Sequence, residues 1–367
     1  MKICIVLSTR PEIIKLSPLI EKFKEKKINY YLVNTNQHSL KKMSKIFFNF
    51  FDIKDKIHNI YPPKKDQHEF LSYSIKKIGS FLKKNKPNYL LVQGDTNTSL
   101  AGCLSAALVN RSLKKKIKII HVEAGLRSFD DTMPEEVNRK LIDRISDILF
   151  VPTKFDYNNL IKENCLIDKK VFITGNTVTD VLKKYLPLCS NSKILSKLKI
   201  TQNKYFLITM HRPESVDNEE NLKKLDLILN KIIEKYNYPI IFPIHPRTKF
   251  MLKKFKLRLN KKIKIIDPLE YLDFLKLIKN TKLLFTDSGG LQEETAILGT
   301  PCVTLRTTTE RQITVIKKVN FIAGYDYNKV FKAINFFLNK KNKSIKDFGR
   351  GNVSNKILSV IKKDYLV

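Results

Sequence analysis

Short apolar runs alternate with segments of helical periodicity along the whole chain, and this alternation constrains the fold more than any other feature. An apolar run followed by apolar positions spaced three or four apart predicts a strand and then a helix. Its repetition predicts parallel sheets covered by helices, the α/β class. The predicted strands are Lys2–Leu7, Tyr30–Thr35, Tyr89–Gln93, Ile117–Val122, Ile148–Val151, Val171–Thr174, Tyr205–Met210, Ile240–Ile244, Ile263–Ile266, Leu283–Thr286 and Cys302–Thr304. The predicted helices include Leu19–Lys27, Thr98–Val109, Asn221–Lys235, Gln292–Leu298 and Val353–Lys363.

The predicted strands fall into two sets, and the least periodic stretch, residues 186–203, leads into the second set. At 367 residues the chain is long for one domain and comfortable for two. We therefore expect two Rossmann-like domains facing a cleft. Residues 1–175 are expected to form the N-terminal domain and residues 176–349 the C-terminal one. A helix at about 350–367 is expected to pack back on the first domain.

A formal net charge of +34 is the one unusual bulk property. Such a charge is typical of nucleic-acid-binding proteins. Here the excess is spread over the length as short lysine runs, arginine is scarce, and no aromatic residues alternate with the runs. We therefore favour a solvated basic surface that attracts anionic substrates such as nucleotides, and expect no nucleic-acid partner.

The remaining bulk features indicate a cytoplasmic protein without a membrane span. No stretch reaches about eighteen uncharged apolar residues, and the first apolar run is too short for a signal peptide. The five cysteines form no CxxC pair and are expected to be reduced, so we predict no zinc site.

A turn with two glycines, Ser288–Gly290, joins an apolar strand to a helix; we call it the Ser-Gly-Gly turn. Glycines let the backbone approach a phosphate, and a helix N-terminus supplies free N–H groups and a partial positive charge. A plain helix cap explains such a turn equally well. Its neighbours favour a nucleotide, because Glu294 could accept from ribose hydroxyls and Arg306 and Arg311 follow the next strand.

His211 and Arg212 end another strand of the second set. A leaving diphosphate needs cations or hydrogen-bond donors at such a position. Taken alone, His211 is more often a structural histidine.

Three carboxylates are expected to converge in the first half. Asp95 and Glu123 directly follow consecutive strands, and Glu135 follows Pro134 at a predicted helix start. Parallel strands end at the same edge of a sheet, so Asp95 and Glu123 should lie close together. Clustered carboxylates suit acid/base chemistry. Helix capping remains the alternative for Glu135 or its neighbour Glu136.

Arg10 and Lys15 belong to the first strand-to-helix turn. They could hold the negative charge of a substrate or product. An exposed helix start explains them as well.

Taken together, these segments resemble the non-hydrolysing UDP-N-acetylglucosamine 2-epimerase family over essentially the whole chain. The matching segments, in the order of the family, are Thr9–Glu12, Gly94–Thr96, His121–Arg127, Pro134–Glu136 with Asn138 and Arg139, Gly175–Val178, His211–Arg212 with Glu214 and Ser215, Asp267–Pro268 with Glu270–Leu272, Asp287–Gly290 with Gln292–Glu294, and Thr308–Arg311. Several segments in this order are far more specific than any one of them.

The resemblance implies the two-domain fold of nucleotide-sugar glycosyltransferases (GT-B-like), usually as a homodimer. It implies an isomerase that interconverts UDP-GlcNAc and UDP-ManNAc without metal or other cofactor. UDP is eliminated to leave a 2-acetamidoglucal and is then added back, which supplies ManNAc-type sugars for surface polysaccharide or glycan synthesis. The implied catalytic residues are Asp95, Glu123, Glu135 and His211. The implied substrate-binding residues are Arg10, Lys15, Phe274 near the uracil, Ser288, Gly289, Gly290, Glu294 and Arg311.

Some positions depart from the usual family pattern. The segment between Arg127 and Pro134 is short, as in archaeal members and in epimerases of UDP-diacetamido-glucuronate. Gln37, His38 and His245 match only parts of the second, regulatory site of bacterial members. The alternatives are an epimerase of that uronate, a hydrolysing epimerase and a glycosyltransferase of the same architecture.

Overall fold

The computed structural model describes residues 1–37, 41–53, 57–63, 66–340 and 343–366, with the backbone alone at 41–45. The chain divides into two compact units. Unit 1 is Met1–Val181 with Asp347–Val367, and unit 2 is Leu182–Lys346. These borders differ by a few residues from the predicted 175/176 and 349/350, and one helix, Val178–Tyr185, spans the observed border at 181/182. None of the described helices has the length and apolar character needed to cross a membrane.

Unit 1, in its described part, contains a seven-stranded parallel sheet with the strand order β3-β2-β1-β4-β5-β6-β7. Its strands are β1 (Lys2–Leu7), β2 (Asn29–Asn34), β3 (Ile57–Asn59), β4 (Tyr89–Gln93), β5 (Lys118–Val122), β6 (Ile148–Val151) and β7 (Lys170–Ile173). Its helices are α1 (Arg10–Glu25), α2 (Lys41–Phe50), α3 (Gln67–Asn85), α4 (Asn97–Val109), α5 (Pro134–Ile145), α6 (Lys154–Lys162), and, shared with unit 2, α7 (Val178–Tyr185). The final helix, Val353–Leu366, also belongs to it.

Unit 2, as far as the structure describes it, contains a six-stranded parallel sheet with the order β10-β9-β8-β11-β12-β13. Its strands are β8 (Phe206–Thr209), β9 (Ile240–Pro243), β10 (Ile263–Ile266), β11 (Leu283–Thr286), β12 (Cys302–Thr304) and β13 (Asn320–Ile322). Its helices are α8 (Ile194–Lys197), α9 (Pro213–Val216), α10 (Glu219–Tyr236), α11 (Pro246–Lys254), α12 (Tyr271–Asn280), α13 (Gly289–Leu298), α14 (Gln312–Ile316) and α15 (Tyr327–Leu338). The final helix is therefore α16.

Both faces of the unit 2 sheet are buried. Phe206 and Ile208 of β8 pack into one hydrophobic cluster, while Leu207 between them packs into another. Successive side chains of a strand point to opposite faces, so helices must cover both sides of this sheet. That burial explains why its strands read as continuous apolar runs in the sequence.

Helix α1 begins nine residues earlier than the predicted Leu19–Lys27. Thr9 and Glu12 form a capping box, and Pro11 occupies the first turn, where its missing N–H costs nothing. Pro18 lies inside the helix and cannot bond the Ile14 carbonyl. The Ser17 hydroxyl donates to that carbonyl at 2.8 Å, so the helix continues through the proline.

Helix α16 packs against α1 in unit 1. Its Asp364 carboxylate is buried and accepts from the Tyr89 hydroxyl at 2.7 Å, Lys118 Nζ at 2.8 Å and Lys170 Nζ at 2.6 Å. Burial acts to raise the pKa of Asp364, but these three donors outweigh it and lower the pKa to about 2. The end of the chain is thus fixed to β4, β5 and β7.

Candidate active site

Asp95 and Glu123 lie beyond the same edge of the unit 1 sheet. Strands β4 and β5 are parallel neighbours, and their last residues, Gln93 and Val122, pair directly. A Cβ added to Gly94 would be only 3.9 Å from Glu123 Oε2. The structure therefore brings together the two turns that carry these carboxylates.

Glu123 is a buried carboxylate with a full set of donors. Lys15, itself 4% exposed, reaches both of its oxygens with Nζ at 2.6 and 2.8 Å. The side-chain amide of Gln93 donates to Oε2, and that of Asn176 donates to Oε1 at 3.2 Å. The backbone of Glu123 has a φ of 77°, a left-handed conformation that non-glycine residues rarely adopt. These contacts hold the Glu123 side chain in one orientation.

Asp95 is in a more open environment than Glu123, with a side chain 27% exposed. Arg139 donates through Nη2 to its carboxylate, and Asn138 Nδ2 donates to its backbone carbonyl at 2.9 Å. Both donors come from α5. The two carboxylates therefore share an edge of the sheet but differ in solvent access and in their cation.

Helix α5 also carries Glu135 and Glu136. Glu135 is half-buried in the first turn, one turn before the two donors that hold Asp95. Glu136 is fully buried and accepts from the backbone N–H groups of Ser128 and Phe129 and from Arg139. Glu136 thus fixes the short segment before the helix, and Glu135 is the more exposed of the two carboxylates.

Arg10 and Glu12 start α1. The guanidinium of Arg10 lies 5.1 Å from the centre of the Phe47 ring, a cation–π distance. Glu12 accepts from the backbone N–H of Thr9 and from the hydroxyls of Thr96 and Ser99, so it joins the start of α1 to the start of α4. Burial raises the pKa of Glu12, while the hydrogen bonds from Thr9, Thr96 and the Ser8 backbone act to lower it.

In unit 2 the Ser-Gly-Gly turn lies between β11 and α13, as the sequence pattern predicted. Ser288 is the N-cap, but its hydroxyl makes no cap hydrogen bond. A Cβ on Gly289 would overlap Oε1 of Glu310, whereas one on Gly290 would have Ser288 Oγ, at 4.0 Å, as its nearest neighbour. The hydroxyl and the start of the helix thus remain available for an anion.

Three arginines surround the buried carboxylate of Glu310 next to this turn. Nitrogen–oxygen distances are 3.0 Å to Arg306, 3.6 Å to Arg311 and 3.9 Å to Arg212. Arg311 also pairs with buried Glu293 at 2.6 Å. Arg212 pairs in addition with Glu214 at 3.0 Å, so carboxylates hold all three guanidiniums in place next to the turn.

His211 follows β8, and its ring is 43% exposed. Its Nδ1 lies 3.2 Å from the buried carboxylate of Asp287, which also accepts from the backbone N–H of His211 and of Arg212. Burial acts to raise the pKa of Asp287, but the charge and hydrogen bond of His211 and the two amides lower it to about 2. Asp287 therefore orients an imidazole whose other nitrogen is accessible.

Of the remaining predicted residues of unit 2, Glu294 and Phe274 are buried and His245 is partly exposed. Glu294 lies in α13 and is 6% exposed. Phe274 lies in α12 and packs in the same hydrophobic cluster as Leu291 of α13. His245 caps α11, and its ring centre lies 5.6 Å from that of His211. His38 lies outside the described residues.

Sequence reasoning assigned no role to several polar residues near the predicted ones, in unit 1 Gln93, His121, Arg139, Asp143 and Asn176, and in unit 2 Asp287, Glu293 and Glu310. Most lie within the matching segments, and several are buried polar side chains at strand ends or inside helices. A buried polar side chain needs a partner, so a polar residue inside an apolar run, such as His121 in β5, was the available signal.

Comparison with known proteins gives one consistent result. A family model described as UDP-N-acetylglucosamine 2-epimerase matches residues 21–362. A protein named UDP-N-acetylglucosamine 2-epimerase from Methanocaldococcus jannaschii is 44% identical over 98% of this chain and 99% of its own length. A protein of the same name from Methanococcus maripaludis is 46% identical over 98% of each chain.

Solved structures agree in fold. The Methanocaldococcus jannaschii UDP-GlcNAc 2-epimerase in complex with UDP-GlcNAc and UDP superposes with a TM-score of 0.91 at 43% identity, covering 99% of this chain and 100% of the other. A lipopolysaccharide galactosyltransferase at 11% identity and a TM-score of 0.58 shares only the fold, which is GT-B-like. The chain therefore belongs to the UDP-N-acetylglucosamine 2-epimerase family, whose members are isomerases.

Proposed function

We propose that this chain interconverts UDP-GlcNAc and UDP-ManNAc by inverting the sugar at C2. The observation that carries the proposal is the pair of carboxylates at neighbouring strand ends, Asp95 partly open beside Arg139 and Glu123 buried beside Lys15. Inversion needs proton removal on one face of C2 and proton delivery on the other. Family membership and the names of the relatives support the substrate class.

The C2 proton is not adjacent to a carbonyl, so its simple removal would leave an unstabilised carbanion. Elimination avoids this. A carboxylate takes the C2 proton, the electron pair of the C2–H bond forms the C1=C2 double bond, and UDP departs with the electrons of the C1–O bond. Re-addition of UDP to C1 of the 2-acetamidoglucal, with a proton delivered to the opposite face of C2, gives the epimer. The reaction is balanced without a redox cofactor.

The polar residues of unit 1 supply the proton chemistry in this proposal. Asp95, Glu123 and Glu135 are the acid/base groups, without assignment of each to a face of C2. Lys15 stabilises Glu123 as a carboxylate, and Arg10 offers a cation to the substrate.

Unit 2 binds UDP in this proposal. His211, Arg311 and the Ser-Gly-Gly turn stabilise the diphosphate as leaving group. Glu294 accepts from the ribose hydroxyls, and Phe274 lies near the uracil. We further propose that the protein is a cytoplasmic homodimer that supplies ManNAc-type sugars for glycan synthesis.

Incubation with UDP-GlcNAc in D2O tests the reaction. We expect UDP-ManNAc to form without added NAD or metal, and both sugars to acquire deuterium at C2. Turnover without label at C2 would exclude the elimination route. Release of free ManNAc and UDP would identify a hydrolysing enzyme. Transfer of the sugar to an acceptor without hydrogen exchange at C2 would identify a glycosyltransferase.

A related uronate is the competing substrate. The UDP-2,3-diacetamido-2,3-dideoxy-D-glucuronate 2-epimerase of Pseudomonas aeruginosa is 33% identical over 99% of this chain. The higher identity of the two archaeal relatives favours UDP-GlcNAc. A competition assay with equal concentrations of the two UDP-sugars measures the substrate preference. A higher kcat/KM for the uronate would reassign the substrate.

A further inference from the structure

A buried His–Asp pair connects the two turns that carry the acid/base carboxylates. His121 is the fourth residue of β5 and is 1% exposed; Asp143 lies in α5 and is fully buried. His121 Nδ1 is 2.7 Å from Asp143 Oδ1, and its Nε2 is 3.0 Å from the carbonyl oxygen of Gly94. Neither residue has a role in the proton chemistry described above.

The partners of His121 settle what each ring nitrogen does. Gly94 offers a carbonyl, which only accepts. Asp143 also accepts from the backbone N–H of Gly125 at 3.1 Å and pairs with Arg127 at 2.8 Å. Burial acts to raise the pKa of Asp143, but His121 and Arg127 outweigh it and hold the pKa below its usual range. A carbonyl oxygen can only accept, so Nε2 of His121 is the nitrogen that donates to Gly94, while Nδ1 faces the carboxylate of Asp143.

Hydrogen bonds that hold these two turns in place matter because both turns contain residues with a left-handed backbone conformation. Gly94 has a φ of 71° and directly precedes Asp95. Gly125 has a φ of 82°, and a Cβ there would lie 2.5 Å from the carbonyl oxygen of Asp156. Between them in the chain, Glu123 itself has a left-handed backbone. His121 holds the first turn from within β5, and Asp143 holds the second from α5.

We propose that His121 and Asp143 are positioning residues: His121 holds the Asp95 turn in place, and Asp143 holds the Glu123 turn in place. Through the Gly94 carbonyl, His121 fixes the backbone from which Asp95 reaches its substrate. Through Gly125, Asp143 fixes the turn that carries Glu123. This inference rests on the proposed function, because it assigns the pair a part in that reaction.

Two substitutions of His121 separate positioning from ordinary packing. Asn places its amide nitrogen near Nδ1 and retains only the donor to Asp143, whereas Gln reaches the Nε2 position and retains the donor to Gly94. A small displacement of a catalytic group costs about 10- to 100-fold in rate. We expect kcat for UDP-GlcNAc to fall by about 10- to 100-fold in His121→Asn and to recover mostly in His121→Gln. KM and the Kd for UDP should change little in both.

His58→Asn is the matched control, the same substitution at an exposed position of β3, and should keep the wild-type kcat. Rates are measured where circular dichroism shows each variant folded. Equal losses of kcat in the Asn and Gln variants, or none in the Asn variant, would overturn the proposal. If His121→Asn does not fold, nitrogen NMR of the histidine-labelled wild type decides: Nε2 of His121 must carry the proton that the Gly94 carbonyl accepts. An unprotonated Nε2 would remove the bond to Gly94 and with it the inference.

Failure of the proposed function has a separate signature. A wild-type protein that leaves UDP-GlcNAc and the related uronate unchanged would refute the reaction. The NMR result would then still report whether the pair joins the two turns.

Discussion

Lys15 and Glu123 form an ion pair that is almost completely removed from solvent, with side chains 5% and 3% exposed. Two ions in such a place each lose hydration, and each depends on the other for compensation. The intact ion pair therefore adds little to the free energy of unfolding. The loss of either partner, however, leaves an uncompensated charge in the interior.

Lys15→Met should consequently destabilise the protein by about 3–5 kcal/mol and abolish turnover. Urea unfolding and UDP-GlcNAc turnover measure the two effects. Lys22→Met is the matched control on α1, because Lys22 pairs with Glu25 on the surface and such pairs contribute about 0–1 kcal/mol. Equal unfolding free energies for the two variants would show that Glu123 does not depend on Lys15.

Asp95→Asn should reduce turnover by about 10²- to 10⁴-fold, the range of general acid/base groups, while UDP binds as before. The amide still accepts from Arg139, so the turn should stay in place. Asp131→Asn is the control, since Asp131 is exposed and pairs with Lys140. Near-wild-type turnover of Asp95→Asn would remove it from the acid/base group.

The two glycines of the Ser-Gly-Gly turn should respond differently to alanine. Gly289→Ala forces a Cβ onto Glu310 and should cost about 1–3 kcal/mol by overpacking. Gly290→Ala has space within the protein, so it should keep its stability and lose UDP affinity by about tenfold or more, or roughly 1.4 kcal/mol. Thermal melting and calorimetric titration separate the effects. A Gly290→Ala variant that binds UDP normally would place the phosphate elsewhere.

Asp287 gives a prediction about pH. Its pKa is about 2 in the folded protein and 3.8 in the reference state. A carboxyl with a lowered folded-state pKa stabilises the fold above its unfolded value, and the contribution is lost as the pH falls through the folded one. Asp287→Asn should therefore cost about 2 kcal/mol at neutral pH, and the cost should shrink between about pH 4 and pH 2. Urea unfolding of both proteins at several pH values measures it; a difference that is constant down to pH 3 would contradict the assignment.

Sequence patterns predicted most strands that have neighbours on both sides of the sheet, and they also predicted the edge strand β10 to the residue. The bounds of β4 and β11 were predicted to the residue, because burial on both faces demands continuous apolar runs. The two strands that were missed, β3 and β13, are three residues long and lie at sheet edges. An edge strand pairs on one side only, and its shorter apolar content gives a weaker pattern.

In the candidate site, too, sequence patterns predicted some features and not others. The positions of Asp95, Glu123 and the Ser-Gly-Gly turn follow from their place directly after strands. Their partners could not be predicted this way, because Arg139 reaches Asp95 across 44 positions and Lys15 reaches Glu123 across 108. Only the packing of α1 and α5 against the sheet decides which cation meets which carboxylate.

The position of Asp364 near the end of the chain affects the order in which the two units can fold during synthesis. Unit 1 is built from two separate stretches of chain, and its last helix follows all of unit 2. A ribosome therefore completes unit 2, an uninterrupted segment, before Asp364 exists to meet Tyr89, Lys118 and Lys170. Domains fold as they emerge. The unit that comes second in the sequence is thus the first that can finish folding, and the unit that carries the proposed acid/base residues is completed last.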